Sequence, residues 1–167
     1  AGKSSLLRCL TRLVKPSQGT VRLDGVPLDE IERSTLARTI SVVPSQVDLP
    51  FAMPVEDVVR LGRIPHEHPF TGQTDEDRAA ADAAILRVGI ERLRGRDVRQ
   101  LSMGERQLVL VAMAVAQGGR LIVLDEPTHV IARVQREFEA ISLRHAVGLS
   151  PLPDLDFSDT NSEDETP

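Results

Sequence analysis

Residues 121–126, Leu-Ile-Val-Leu-Asp-Glu, constrain this chain more than any other stretch. Four consecutive aliphatic residues leave no polar face, which predicts a fully buried strand of a parallel sheet covered by helices. Two carboxylates, Asp125 and Glu126, follow at once. They emerge at the end of the strand, the place where open α/β sheets bind their ligands.

The rest of the pattern agrees with an α/β domain, in which strands alternate with helices. Leu6, Leu7, Leu10, Leu13 and Val14 have helical spacing, and Pro16 and Gly19 end it. Thr20–Leu28 reads as a hairpin turning at Asp24-Gly25, residues 34–38 as a short helix, and 40–43 as a strand stopped by Pro44. A loop over 44–54 leads to a helix over 55–62 and a second loop over 65–73. Thr74 is an N-cap followed by three acids, and Gly89 closes that helix. Leu101–Gln117 reads as a loop entering a helix, and 130–143 as helical. The Pro-, Asp- and Ser-rich residues 149–167 read as an acidic disordered tail beyond a domain of 1–148.

Composition excludes several classes. The net charge is −5, from 20 basic and 25 acidic residues, so a general basic surface for nucleic acid is ruled out. Six of the acids fall in 154–167, which leaves residues 1–153 at 20 − 19 = +1. A single cysteine, Cys9, excludes an intrachain disulfide. The longest apolar run, Leu108–Ala116, is far below the roughly 20 residues of a membrane span. With no Trp or Tyr and four Phe, the core must be aliphatic.

Three stretches carry chemistry. Gly2-Lys3-Ser4 opening a helix matches the second half of the phosphate-binding pattern G-x-x-x-x-G-K-[ST]. Glycine lets the backbone approach phosphates, lysine reaches the β- and γ-oxygens, and the serine hydroxyl holds Mg²⁺. Asp125 is placed to bind Mg²⁺, and Glu126 to polarise an attacking water. Leu101-Ser-Met-Gly-Glu-Arg-Gln107 contains a capping box, Ser102 with Glu105, which by itself explains a helix start. The functional reading adds an anion site made by Ser102 and the Gly104 amide. Gln46, in a polar loop after a strand, is placed to reach Mg²⁺ or the water. His66 and His68 read as loop histidines.

In this order, GKSS, a loop Gln, LSMGERQ and LIVLDEPT, the chain resembles the nucleotide-binding subunits of ATP-binding cassette (ABC) transporters over residues 1–128. The resemblance implies a P-loop NTPase core with a helical subdomain inserted at about residues 55–118. It matches Gly2, Lys3, Ser4 and Ser5 to the Walker A loop, Gln46 to the Q-loop and Ser102–Gln107, including Gly104, Glu105 and Gln107, to the signature sequence. Asp125 matches the Walker B aspartate and Glu126 the catalytic glutamate. It further implies ATP and Mg²⁺ as cofactors and ATP hydrolysis as the activity. The implied partners are a second ATPase subunit, in a head-to-tail homodimer, and membrane permease subunits. The protein would then lie peripherally on the cytoplasmic face of the membrane, touching it only through the permease. Residues 50–66, PFAMPVEDVVRLGRIPH, resemble importers of iron-siderophore complexes, haem and cobalamin.

Departures from the family pattern are specific. The upstream strand, the first glycine of the phosphate loop and the adenine-stacking aromatic are absent from these residues. Met103 replaces a small glycine, the D-loop Leu-Asp does not follow Thr128, and neither His129 nor His145 follows an apolar strand as a switch histidine would. The chain therefore reads as an incomplete domain, truncated at its front and divergent after residue 128. Two alternatives stand beside the importer reading: a degenerate, non-hydrolysing fragment, and a soluble ABC-type ATPase of DNA repair or translation.

Overall fold

The computed structural model describes residues 3–44, 51–68, 70, 72–124 and 155–156. Helix α1 spans Lys3–Leu10. Strands β1 (Arg22–Leu23) and β2 (Val26–Pro27) pair antiparallel around Asp24 and Gly25. Both turn residues have positive φ, 51° and 78°, the geometry that matches the twist of a tight hairpin and that Asp-Gly supplies readily. Helix α2 (Arg33–Thr39) runs directly into β3 (Ile40–Val43).

Three helices follow. In α3 (Val55–Arg60), Val55, Val58 and Val59 are buried. The helix over 55–62 expected from the sequence stops early, and a 3-10 turn runs from the last two residues of that expected helix into the first two of the expected loop, Leu61 to His66. Pro65 has no N–H to continue an α-helical ladder. Gly62 meanwhile lies so close to the Met113 carbonyl of a neighbouring helix that no Cβ would fit.

Helix α4 (Asp75–Val88) has both predicted ends. Thr74 and Asp77 form a reciprocal capping box, and Gly89 closes the helix at φ 69°. Its inward stripe is Ala81, Ala84, Ile85 and Val88. Helix α5 (Met103–Gln117) is capped by Ser102 with Glu105 and ended by Gly118 at φ 72°. Seven of its residues are buried, including Leu108, Val109, Leu110 and Val111 in succession. A helix buried around most of its circumference lies in the centre of its packing unit. Burial of those four larger side chains contributes roughly 1.5–3 kcal/mol each, against about 1 kcal/mol for a cap. Packing therefore decides where α5 sits, and the caps decide where it starts and stops.

Strand β4 (Leu121–Leu124) pairs parallel with β3, Ile40 opposite Leu121 through Val43 opposite Leu124. The pair separates two cores. Val43, Ile122 and Leu124 pack with α3, α4 and α5, whereas Ile40, Val42, Leu121 and Val123 pack with Leu23, Leu28 and Leu36. This two-sided burial explains why the aliphatic run of β4 is unbroken. All four residues of β4 are half-buried rather than fully buried as expected. Among the described residues β4 has a strand neighbour on one edge alone, β3.

Strand β5 (Leu155–Asp156) pairs antiparallel with β1. It falls in the stretch read as a disordered tail, so at these two residues the backbone is a strand instead. The rest of 149–167 and the expected helix at 130–143 lie outside the described residues.

Candidate nucleotide site

Lys3 and Ser4 are the first described residues of helix α1. Ser5 is exposed one residue further on. Gly2, Gln46, Asp125 and Glu126 lie outside the described residues. The strands that lead to three of them are described. Val43 and Leu124 are register partners in a parallel pair, so the chain leaves β3 and β4 at the same end of the sheet. Asp125 and Glu126 directly follow Leu124 in the sequence, and Gln46 comes three residues after Val43.

The turn at 102–107 is built from local capping and a long-range ion pair. The Ser102 hydroxyl accepts from the Glu105 amide at 3.3 Å. The Glu105 carboxylate in turn accepts from the Ser102 amide at 3.2 Å and the Ser102 hydroxyl at 3.1 Å. Arg92 donates to Glu105 at 2.8 Å, and Arg96 lies 3.7 Å away. The Arg92 hydrogen bond first, and then the Ser102 amide, hold the Glu105 carboxyl below the usual carboxylate range. Glu105 is thus an ionised capping residue whose charge is balanced by two arginines. The sequence marks these partners only as part of a basic run between Arg92 and Arg99.

Ser102, Met103 and Gly104 form an open face. Met103 is 78% exposed, and a Cβ on Gly104 would meet nothing within 4 Å. Gln107 is placed differently: half-buried, it donates from Nε2 to the Pro44 carbonyl at 3.4 Å. The structure therefore keeps Ser102 and Gly104 on the accessible side of the turn and takes Gln107 inward to the end of β3. His66 also points inward, with Nε2 2.7 Å from the Gln117 carbonyl. No helix among the described residues is long and apolar enough to cross a membrane.

A parallel strand pair that ends beside an Asp-Glu sequence, a helix that opens with Lys-Ser, and a capped signature turn together define a nucleotide-binding cassette. The chain belongs to the ABC transporter family, whose sequence pattern matches residues 1–129. It is 42% identical over 128 residues to the cobalamin import ATP-binding protein of Halobacterium salinarum, covering 77% of this chain and 32% of that protein. It is 41% identical to the hemin import ATP-binding protein of Deinococcus radiodurans, covering 95% of this chain and 62% of that protein. This second alignment runs beyond residue 128, where the sequence was read as divergent. The chain thus spans about a third of the length of the first relative and about three fifths of the second. Among solved structures, a metal-chelate type ABC transporter in an inward-facing conformation superposes with a TM-score of 0.66 at 32% identity, covering 87% of this chain and 54% of that one. A cbiO1 structure from Clostridium perfringens, part of a transporter complex, superposes at 0.69 and 26% identity, covering 86% and 59%. The P-loop NTPase fold class expected from the sequence is the fold of these neighbours.

Proposed function

We propose that this chain is the ATP-binding part of an importer of iron-siderophore complexes, haem or cobalamin, and that the full protein hydrolyses ATP to drive that import. The observation that carries the reading is the parallel register of β3 and β4, which brings the chain out toward Gln46 and toward Asp125-Glu126 at one end of the sheet. The relatives named for cobalamin and hemin import support the substrate class.

In this reading Lys3, Ser4 and the α1 amides bind the phosphates, with Gly2 and Ser5 completing the loop. Ser4, Gln46 and Asp125 hold Mg²⁺. Hydroxyl, amide and carboxylate oxygens form the hard donor set that this ion prefers, and the first turn of α1 and the ends of β3 and β4 are where such donors belong. The ion, when bound, neutralises phosphate charge. Glu126 orients and polarises the water. Ser102 and Gly104 present their open face to the nucleotide of a second subunit, and Glu105 holds that turn in shape. Residues 55–118 form the helical subdomain, and membrane contact is made through permease subunits on the cytoplasmic side.

The test is a calorimetric MgATP titration together with phosphate release, run on the protein alone and combined with importer permease subunits. Glu126→Gln should keep nucleotide binding and lose turnover. Hydrolysis near the wild-type rate in that variant would show Glu126 to be structural. Absence of MgATP binding in the wild type would favour a degenerate, non-hydrolysing protein.

A further inference from the structure

Helix α5 is fastened to β3 at two places by two glutamines. Gln107 Nε2 donates to the carbonyl of Pro44, the residue after β3. Gln117 Nε2 donates to the carbonyl of Ile40, the first residue of β3, at 3.2 Å, and also to the Ala37 carbonyl in α2. The spacings are commensurate. Ten residues of α-helix rise about 15 Å, and four residues of strand about 13 Å. Helix and strand therefore run antiparallel, with one amide near each end.

The far end of α5 is secured further. His66 Nε2 meets the Gln117 carbonyl, and Arg38 Nε donates to the Pro65 carbonyl at 2.7 Å, so α2 and the 3-10 turn share the anchorage. Gly119 packs so closely on Ser41 of β3 that an added Cβ would lie 2.7 Å from the serine hydroxyl. Near Pro44, by contrast, Gln107 is the one side chain of α5 with a described hydrogen bond to β3 or its exit.

We propose that Gln107 and Gln117 are positioning residues, a pair of amide clips that hold α5 in register along β3. They make the turn at Ser102–Gly104 and the chain leaving β3 toward Gln46 move as one piece. Gln117 is the fixed end, bonded to two carbonyls and braced by the His66 contact. Gln107 is the transmitting end, three residues from Gly104 on one side and bonded to the residue two before Gln46 on the other. One N–H of its amide is committed to protein backbone. This inference rests on the proposed function only for what Ser102 and Gln46 do. The clips themselves are properties of the fold.

The experiment is amide hydrogen exchange on the full chain without nucleotide. Gln107→Leu removes the donor, and Gln107→Lys keeps one. Exchange of the first-turn amides of α5 should rise about fivefold in Gln107→Leu, the scale of one lost hydrogen bond, and stay near wild type in Gln107→Lys. Gln117→Leu should raise exchange at the junction of α2 and β3, and if that variant does not fold the Gln107 pair decides. Unchanged exchange in Gln107→Leu, or equal loss of protection in both Gln107 variants, would each overturn the proposal. The exchange readout needs no nucleotide, so it decides about the clips even if the chain binds none.

Discussion

Arg63 Nε lies 3.0 Å from Asp77 Oδ1, with the two side chains 15% and 5% exposed. Neither residue is spare. Arg63 also donates to the Ala116 carbonyl at 2.8 Å, and Asp77 accepts from the Thr74 amide at 2.9 Å and the Thr74 hydroxyl at 2.8 Å. One ion pair therefore joins the 3-10 turn after α3, the start of α4 and the end of α5. Removing one partner of a buried pair strands the other charge, which outweighs what the pair contributes over an apolar alternative.

Asp77→Ala should accordingly cost about 3 kcal/mol, the scale of a broken buried pair, with a lost cap included. Urea unfolding monitored by circular dichroism measures it. A cost below about 1 kcal/mol would mean that Arg63 finds water or another acceptor.

The same carboxyl predicts an acid limit. Hydrogen bonds from the Thr74 amide, then the Thr74 hydroxyl, and then Arg63 lower Asp77 from its ordinary 3.8 to about 2. A proton binds this group more tightly in the unfolded chain than in the fold. Its contribution is therefore complete above pH 3.8 and is lost as the pH falls from there toward 2. Unfolding midpoints across this window should fall less steeply in Asp77→Asn than in the wild type. Parallel slopes would assign the acid sensitivity to other carboxylates.

Gly62→Ala should destabilise the protein by about 2 kcal/mol, because the new methyl group meets the backbone carbonyl of Met113 rather than a side chain that can move. Thermal unfolding reads this directly. A variant as stable as the wild type would show that the 3-10 turn can shift away from α5.

Ser102→Ala should cost about 1 kcal/mol through the lost cap, and Ser102→Asn, an uncharged N-cap residue whose amide can both accept from the Glu105 amide and donate to its carboxylate, should recover stability. If Ser102 also serves nucleotide, turnover in the assembled transporter should stay low in both variants. Recovery of turnover in Ser102→Asn would leave capping as its whole role.

Lys3→Ala should weaken MgATP binding by about 1.5–3 kcal/mol, roughly tenfold to a hundredfold, the scale of charge-assisted hydrogen bonds to phosphate. Calorimetry measures it. Equal affinities would remove Lys3 from the site.

What the sequence determined lies within a few residues of itself. The Asp24-Gly25 turn, the Thr74 and Ser102 capping boxes and the Gly89 and Gly118 ends all close bonds within about one helical turn, so composition and order suffice to write them. The aliphatic run at 121–124 likewise announced a parallel strand. Tertiary structure alone decided which distant groups meet. Arg63 and Asp77 are 14 residues apart, Gln107 and Pro44 are 63 apart, and Gln117 and Ile40 are 77 apart. A surface glutamine and a clip glutamine have the same letter, and their difference arises only when packing of α5 on β3 excludes water and leaves a backbone carbonyl as the available partner.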